Sequence, residues 1–226
     1  MAPLSSIASE HQAMLLLSLG IGVLAGCSRN PIPSSIPGYD LERPLTTIVL
    51  PEILHEISGI TEVGPMIIAC VQDEKGIVFF YDLTKQGIVR QAEFHLDGDY
   101  EGIARVGKAL YVLRSDGTLF EIADYEAQGA RAQPFSLGGP GRNNERLCYD
   151  PSRGILLVAA KGKLGKGAEH KDLRVVHAFD PRTKTLSQAP ILSIDLQKVR
   201  AFLRERDPGF PTRERKGSRE PKVRLN

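Results

Sequence analysis

Asp99-Tyr100-Glu101-Gly102-Ile103 is preceded by Glu56-Ile57-Ser58-Gly59-Ile60 and echoed more weakly by Asn143-Asn144-Glu145-Arg146-Leu147. The three glutamates are 45 and 44 residues apart. A period of that length is a signature of solenoids, propellers and repeat arrays. The residues after each glutamate choose among them. Behind Glu101 come Ala109–Leu113, the turn Ser115-Asp116-Gly117, and Thr118–Ile122. Behind Glu56 come Met66–Val71, a turn over Asp73–Gly76, and Ile77–Tyr81. Behind Glu145 come Gly154–Ala159, a longer loop, and Leu173–Phe179. Each unit is a series of short β-type runs divided by Gly/Asp turns. Four short strands per ~40–45 residues describe a propeller blade, so the fold expected is all-β. The repeats run from Glu56 to Leu96, Glu101 to Leu137 and Glu145 to Leu196. Each should form an antiparallel four-stranded sheet, with the three glutamates facing one side. Leu45–Leu50 is a further strand-like run, placed to complete the last blade of a closed ring.

With 226 residues, 42% of them hydrophobic, the chain can bury one sizeable core. Its charge is uneven. Residues 197–226 hold ten Lys/Arg against four Asp/Glu, whereas the body 28–196 carries −3. That asymmetry is no argument for nucleic-acid binding, and no nucleic-acid partner is expected. Met14–Leu24 is an apolar run of signal-peptide length, too short to span a membrane as a helix. It ends in Leu24-Ala25-Gly26-Cys27, which resembles a bacterial lipobox, although Met1–Ala13 lacks the usual Lys or Arg. Residues 1–27 therefore read as a lipoprotein signal peptide with Cys27 as the acylated residue. The alternative is an apolar N-terminal helix. Residues 28–44 are a polar, Pro-containing tether. The expected location is the bacterial cell envelope, lipid-anchored and facing the periplasm or in the outer membrane.

Cys70 and Cys148 sit in strand patterns of non-adjacent repeats, and buried free thiols are favoured over a disulfide. The loop Gly162–Lys171 lacks the spacing and Ser/Thr of a phosphate loop and reads as a hairpin insertion. After Leu196 the β pattern stops. Residues 198–207 are charged and compatible with a helix, and 197–226 as a whole read as a basic irregular tail.

Leu50-Pro51, the Glu56–Ile60 motif, Val71-Gln72-Asp73-Glu74, Asp99–Ala104, Asn144-Glu145 and Lys161, occurring in that order, resemble the SdiA-regulated (YjiK-like) family over residues 45–196. The resemblance implies a six-bladed β-propeller, exported and membrane-associated, with no established enzymatic activity. This chain would then hold about three blades, half the ring. The expectation is a truncated or frameshifted product whose last stretch is out of frame. A short natural variant that dimerises is the competing reading.

In a propeller the first strand of each blade lines the channel. Glu56, Glu101 and Glu145 would crowd carboxylates about one axis and raise one another's pKa unless compensated. One solution is a cation, and an oxygen-rich set without Cys or His suits calcium or magnesium, calcium being the one expected, with Asp73, Asp99 and Asn144 as auxiliaries. The other is that each glutamate accepts backbone N–H bonds and braces adjacent blades. The function expected is a binding or scaffold module for an unidentified protein or small molecule. The alternative is a calcium-dependent hydrolase of phosphoesterase or lactonase type. His95, His170 and His177 are the histidine candidates for that chemistry, but no Ser/His/Asp arrangement accompanies them.

Overall fold

The computed structural model describes residues 40, 43–129, 131–138, 144–160 and 172–206. The expected signal peptide with Cys27, most of the expected tether, the loop Gly162–Lys171 with His170, and the tail beyond residue 206 lie outside them. The chain divides into two compact units, and the sheets belong to the one spanning Val49–Pro211.

The described body is all-β apart from a short 3₁₀ turn at Glu52–Leu54 and one helix. Sheet 1 is β1 (Ile57–Gly64), β2 (Ile67–Gln72), β3 (Ile77–Asp82) and β4 (Gly87–Glu93), paired in that order. Sheet 2 is β5 (Tyr100–Val106), β6 (Ala109–Arg114), β7 (Thr118–Ile122) and β8 (Ala132–Ser136), again in order. Every neighbouring pair is antiparallel. These are the first two sheets expected.

Sheet 3 differs. It contains β9 (Asn144–Asp150), β10 (Ile155–Ala160) and β11 (Leu173–Asp180). Its outer position is shared by β12 (Thr185–Leu186) and β13 (Leu192–Asp195), both paired with β11, so five strands stand where four were expected. The break has a local cause. Ser187 Oγ accepts from Ala178 N at 3.0 Å, and Pro190 has no N–H to offer a ladder. The edge strand therefore leaves at Ser187 and rejoins where Ile191 N donates to Val176 O.

Two expectations need correction. Leu45–Leu50 forms no strand: these residues join no sheet, and Leu45 and Val49 are exposed. An extended run becomes a strand only when a neighbour takes up its N–H and C=O groups, and among the described residues none does. The tail is not irregular from its start, because α1 covers Leu196–Arg206, in line with the helical charged run at 198–207. Asp195 Oδ1 accepts from Gln197 N at 2.8 Å and caps it. Arg200 pairs with Asp172 at 3.1 Å.

Apolar side chains alternate between the two faces of sheet 2, as strand geometry requires. Leu110, Val112, Phe120 and Ile122 join Val71, Val78 and Phe80 of sheet 1 in one core. Tyr111, Leu113 and Leu119 face the other way, onto Leu147, Leu156, Val158 and Phe179 of sheet 3. Sheet 2 is buried on both faces, which is why β6 reads as an uninterrupted apolar run rather than an alternating one. The outermost strands β4 and β8 have mixed, partly exposed patterns.

Candidate functional site

The innermost strands β1, β5 and β9 lie side by side, β1 against β5 and β5 against β9. Each begins with a β-bulge. On β1, Ile57 pairs with Gln72 and Gly59 with Val71, leaving Ser58 as the extra residue. On β5, Tyr100 pairs with Arg114 and Gly102 with Leu113, leaving Glu101. On β9, Asn144 pairs with Ala160 and Arg146 with Ala159, leaving Glu145. The backbone bonds around the bulges repeat as well. Asp73 N donates to Glu56 O and Ser115 N to Asp99 O. The next strand is then taken up by Tyr100 N donating to Asp73 O at 2.9 Å and Asn144 N to Ser115 O at 3.1 Å.

This register corrects the glutamate alignment. Glu56 matches Asp99, not Glu101, and the residue in the place of Glu101 and Glu145 is Ser58. The structural spacing is 43 and 44 residues. Aligning Gly59-Ile60 with Gly102-Ile103 finds it, whereas aligning like charges does not. The glycines are where the strands approach most closely. A Cβ on Gly59 would lie 2.7 Å from Ile103 N and 2.8 Å from Gly102 Cα, and one on Gly102 would lie 3.0 Å from Leu147 Cβ. Side chains larger than hydrogen at those two positions would drive the innermost strands apart.

The candidate residues have distinct surroundings. Glu56 and Asp99 are exposed, Glu101, Asp73 and Asn144 are half-buried, and Glu145 is buried. Arg146 sits by Glu145, Nη1 to Oε2 3.9 Å, and Nη1 also donates to Glu145 O at 2.9 Å. Neither Glu101 nor Glu145 is without partners. Asp73 Oδ1 is buried and has no hydrogen-bond partner among the described residues. Among the described residues no three Asp, Glu, His or Cys side chains are grouped so as to hold a metal ion.

The nucleophile and base candidates have separate surroundings. Ser58 Oγ donates to Val71 O at 3.3 Å. Cys70 and Cys148 are free thiols. Burial pushes Cys70 up to about 12, and burial with the nearby Asp150 also raises Cys148, so neither is a thiolate at neutral pH. His177 Nδ1 lies 2.9 Å from Ser187 O, and its Nε2 is buried with no hydrogen-bond partner among the described residues. His95 Nδ1 lies 3.3 Å from Tyr100 Oη.

Two charged features escaped the sequence reading. Lys184 Nζ donates to Glu121 Oε1 at 2.6 Å and to Tyr111 Oη at 2.9 Å, and Tyr111 Oη donates to Glu121 Oε1 at 2.6 Å. Burial and the Glu121 carboxylate both raise the Tyr111 phenol. Arg90 sits over the Phe80 ring, 3.6 Å from its centroid. No short-range pattern marks the first, which joins residues from different repeats, whereas Arg90 and Phe80 are cross-strand partners within sheet 1 and meet only once β3 and β4 pair.

No family model matches the chain, and no curated protein matches it. Among solved structures it is similar to Kuenenia stuttgartiensis hydrazine synthase at 15% identity and a TM-score of 0.45, over 65% of this chain and 38% of that one. It is also similar to the computationally designed Ika4 protein at 15% identity and a TM-score of 0.43, over 66% and 81%. A nidogen/laminin complex matches at 15% identity and a TM-score of 0.43, over 58% and 46%. The chain thus spans well under half of the hydrazine synthase chain, and no function is taken from these likenesses.

Proposed function

We propose that this chain is a lipid-anchored, exported binding or scaffold module of the cell envelope, built from three blades of a six-bladed-type β-propeller. The observation that supports it is the common register of the three sheets. It repeats one bulge and one backbone hand-off at the same end of β1, β5 and β9. Bulges re-aim side chains and are over-represented beside functional sites. Here they set Ser58, Glu101 and Glu145 on consecutive innermost strands, with Asp73 beside them.

The partner proposed at that end is cationic, and calcium is the simplest case. Asp73 Oδ1 is a buried acceptor with no hydrogen-bond partner among the described residues, and a hard cation satisfies such an oxygen. With no group of three metal-ligating side chains among the described residues, a calcium ion there would draw most of its ligands from backbone and water. We therefore expect weak affinity and little stabilisation by the metal. Calorimetric titration of calcium and magnesium into the wild type and Asp73→Asn tests this. Calcium heat that Asp73→Asn abolishes is expected, and identical titrations of the two proteins would remove the cation from the reading. A screen of phosphoesters and lactones runs alongside, and calcium-dependent turnover would replace the binding module with a hydrolase. The anchor is tested separately. Cys27→Ser should leave the precursor unprocessed and unlabelled by fatty acid, and normal labelling would refute the lipoprotein assignment.

A further inference from the structure

A second feature lies toward the opposite ends of the strands. The β1–β2 turn, the middle of β3 and β4, and the segment after β7 line an open groove of about 430 Å³. Its apolar wall is Val63, Ile67 and Val89, flanked by Phe80 of sheet 1 and Tyr125 of the segment after β7. Two opposite charges line the same space, Arg90 and Glu126.

Arg90 is held in place but not neutralised. Its guanidinium packs over Phe80, and Nη1 donates to Tyr125 O at 2.6 Å. Tyr125 is itself fixed, its ring stacked on Phe80 with centroids 6.0 Å apart and its hydroxyl donating to Val63 O at 3.0 Å. A guanidinium has five N–H donors, and the described residues take up one by hydrogen bond. No carboxylate pairs with Arg90 among them, although Glu126 lines the same groove. A cation and an anion that share an apolar groove without pairing match a ligand carrying the complementary charges close together on an apolar body. The volume falls in the range of small-ligand sites.

We propose that this groove binds a free α-amino acid with an apolar side chain. The carboxylate would be received by the Arg90 fork, the ammonium by Glu126, and the side chain by Val63, Ile67 and Val89. Arginine suits the first role because its planar donors match a carboxylate and its orientation is already set by stacking. The proposal is independent of the cation reading, which concerns the bulged strand ends.

The test is an NMR titration of the full chain, following the methyl groups of Val63, Ile67 and Val89. The probes are L-leucine, 4-methylpentanoate, which lacks the ammonium, and 3-methylbutylamine, which lacks the carboxylate. Leucine should shift those methyls with half-saturation on the order of 1–10 mM, as suits an open groove. Arg90→Gln should weaken leucine about tenfold, and Arg90→Lys, which keeps the charge but loses the planar fork, about threefold or more. Glu126→Gln should weaken leucine while leaving 4-methylpentanoate unchanged. That side chain is exposed, so its variant carries the charge test even if the Arg90 variants unfold. The proposal is overturned if leucine shifts nothing at tens of millimolar, if either analogue binds as tightly as leucine, or if Glu126→Gln leaves leucine binding unchanged.

Discussion

The seam between sheets 1 and 2 and the seam between sheets 2 and 3 solve the same packing problem with different chemistry. The first is aromatic. Phe94 meets Tyr100 and Phe120 edge to face at 5.0 and 5.7 Å, and Phe80 stacks on Tyr125. The second is mainly aliphatic, with Leu113, Leu119, Leu147, Leu156 and Val158 around Tyr111 and Phe179. Each seam also carries a cation on an aromatic face. Lys184 of sheet 3 is neutralised by Glu121 of sheet 2, with the Tyr111 hydroxyl completing a closed triangle. Among the described residues, the one hydrogen bond of Arg90 of sheet 1 goes to a backbone carbonyl of the segment after β7. A satisfied cation ties two sheets together, while a pinned cation with spare donors is available to something else. The closed triangle therefore reads as structure and the open arginine as a site.

The largest effect expected at the seams comes from the backbone. Gly59→Ala sets a methyl 2.7 Å from a backbone nitrogen and 2.8 Å from a Cα of sheet 2, and neither atom can turn aside. Gly102→Ala meets Leu147 Cβ at 3.0 Å and its N at 3.1 Å, which smaller shifts can relieve. Urea unfolding should show losses of about 3–5 kcal/mol for the first and about 1–3 kcal/mol for the second. Equal losses would mean that the two seams are equally tight at the innermost strands.

The side-chain cations come next. Removing Lys184 leaves a carboxylate and a phenol facing each other with 17% of the Glu121 side chain exposed. Lys184→Met should cost about 1–3 kcal/mol. A double-mutant cycle with Glu121→Gln should return a coupling of about 1 kcal/mol or more. Arg90→Gln has no carboxylate to strand and should cost about 1 kcal/mol or less. If Arg90 proves the more destabilising of the two, the distinction between a structural cation and an available one fails.

Much of this architecture was legible in the order of the residues. The Gly/Asp turns and short apolar runs marked the strands of sheets 1 and 2 because both depend on local chemistry. Asp82 and Asp180, for example, each end a strand and accept from backbone N–H groups two residues on. What escaped depends on pairing. Glu56 and Glu101 look equivalent by charge, but equivalence in a sheet is set by register, and Ser58 holds the bulge. Leu45–Leu50 has strand composition without a strand partner among the described residues. The division of the outer strand of sheet 3 follows from Ser187 and Pro190, both visible in the sequence but meaningful only once Ala178 lies opposite. The Lys184 triangle spans 73 residues between Lys184 and Tyr111, and composition carries no trace of it.

The smallest effect should be indifferent to the seams, which makes it a control on the comparison. Asp116 sits in the β6–β7 turn. Its Oδ2 accepts from Arg114 Nη2 at 2.8 Å, and its Oδ1 accepts from Thr118 N at 2.9 Å. Chiefly through the Arg114 bond, its pKa falls from the usual 3.8 to about 2. Asp150, which ends β9 in sheet 3 and holds the turn that follows, is also kept at about 2, chiefly by Ser152 and Arg153. A carboxyl whose folded pKa is depressed contributes stability above its unfolded value and loses it as pH falls through the folded value. Both contributions are therefore complete above about pH 4 and fade between pH 4 and 2. Half of the Asp116 side chain is exposed, so solvent screening keeps the effect small. Asp116→Asn should lower the melting temperature by about 1–2 °C at pH 6, and the gap should close as the buffer approaches pH 2. Asp150→Asn should behave alike, since each is a turn carboxylate answering to its own hairpin. A gap that persists at pH 2 would show that the substitution disturbs the turn rather than the charge. A much larger loss for Asp116 than for Asp150 would tie the β6–β7 turn to the aromatic seam, through Arg114 over Phe120 at 5.2 Å, and the seams would then differ in electrostatics as well as in packing.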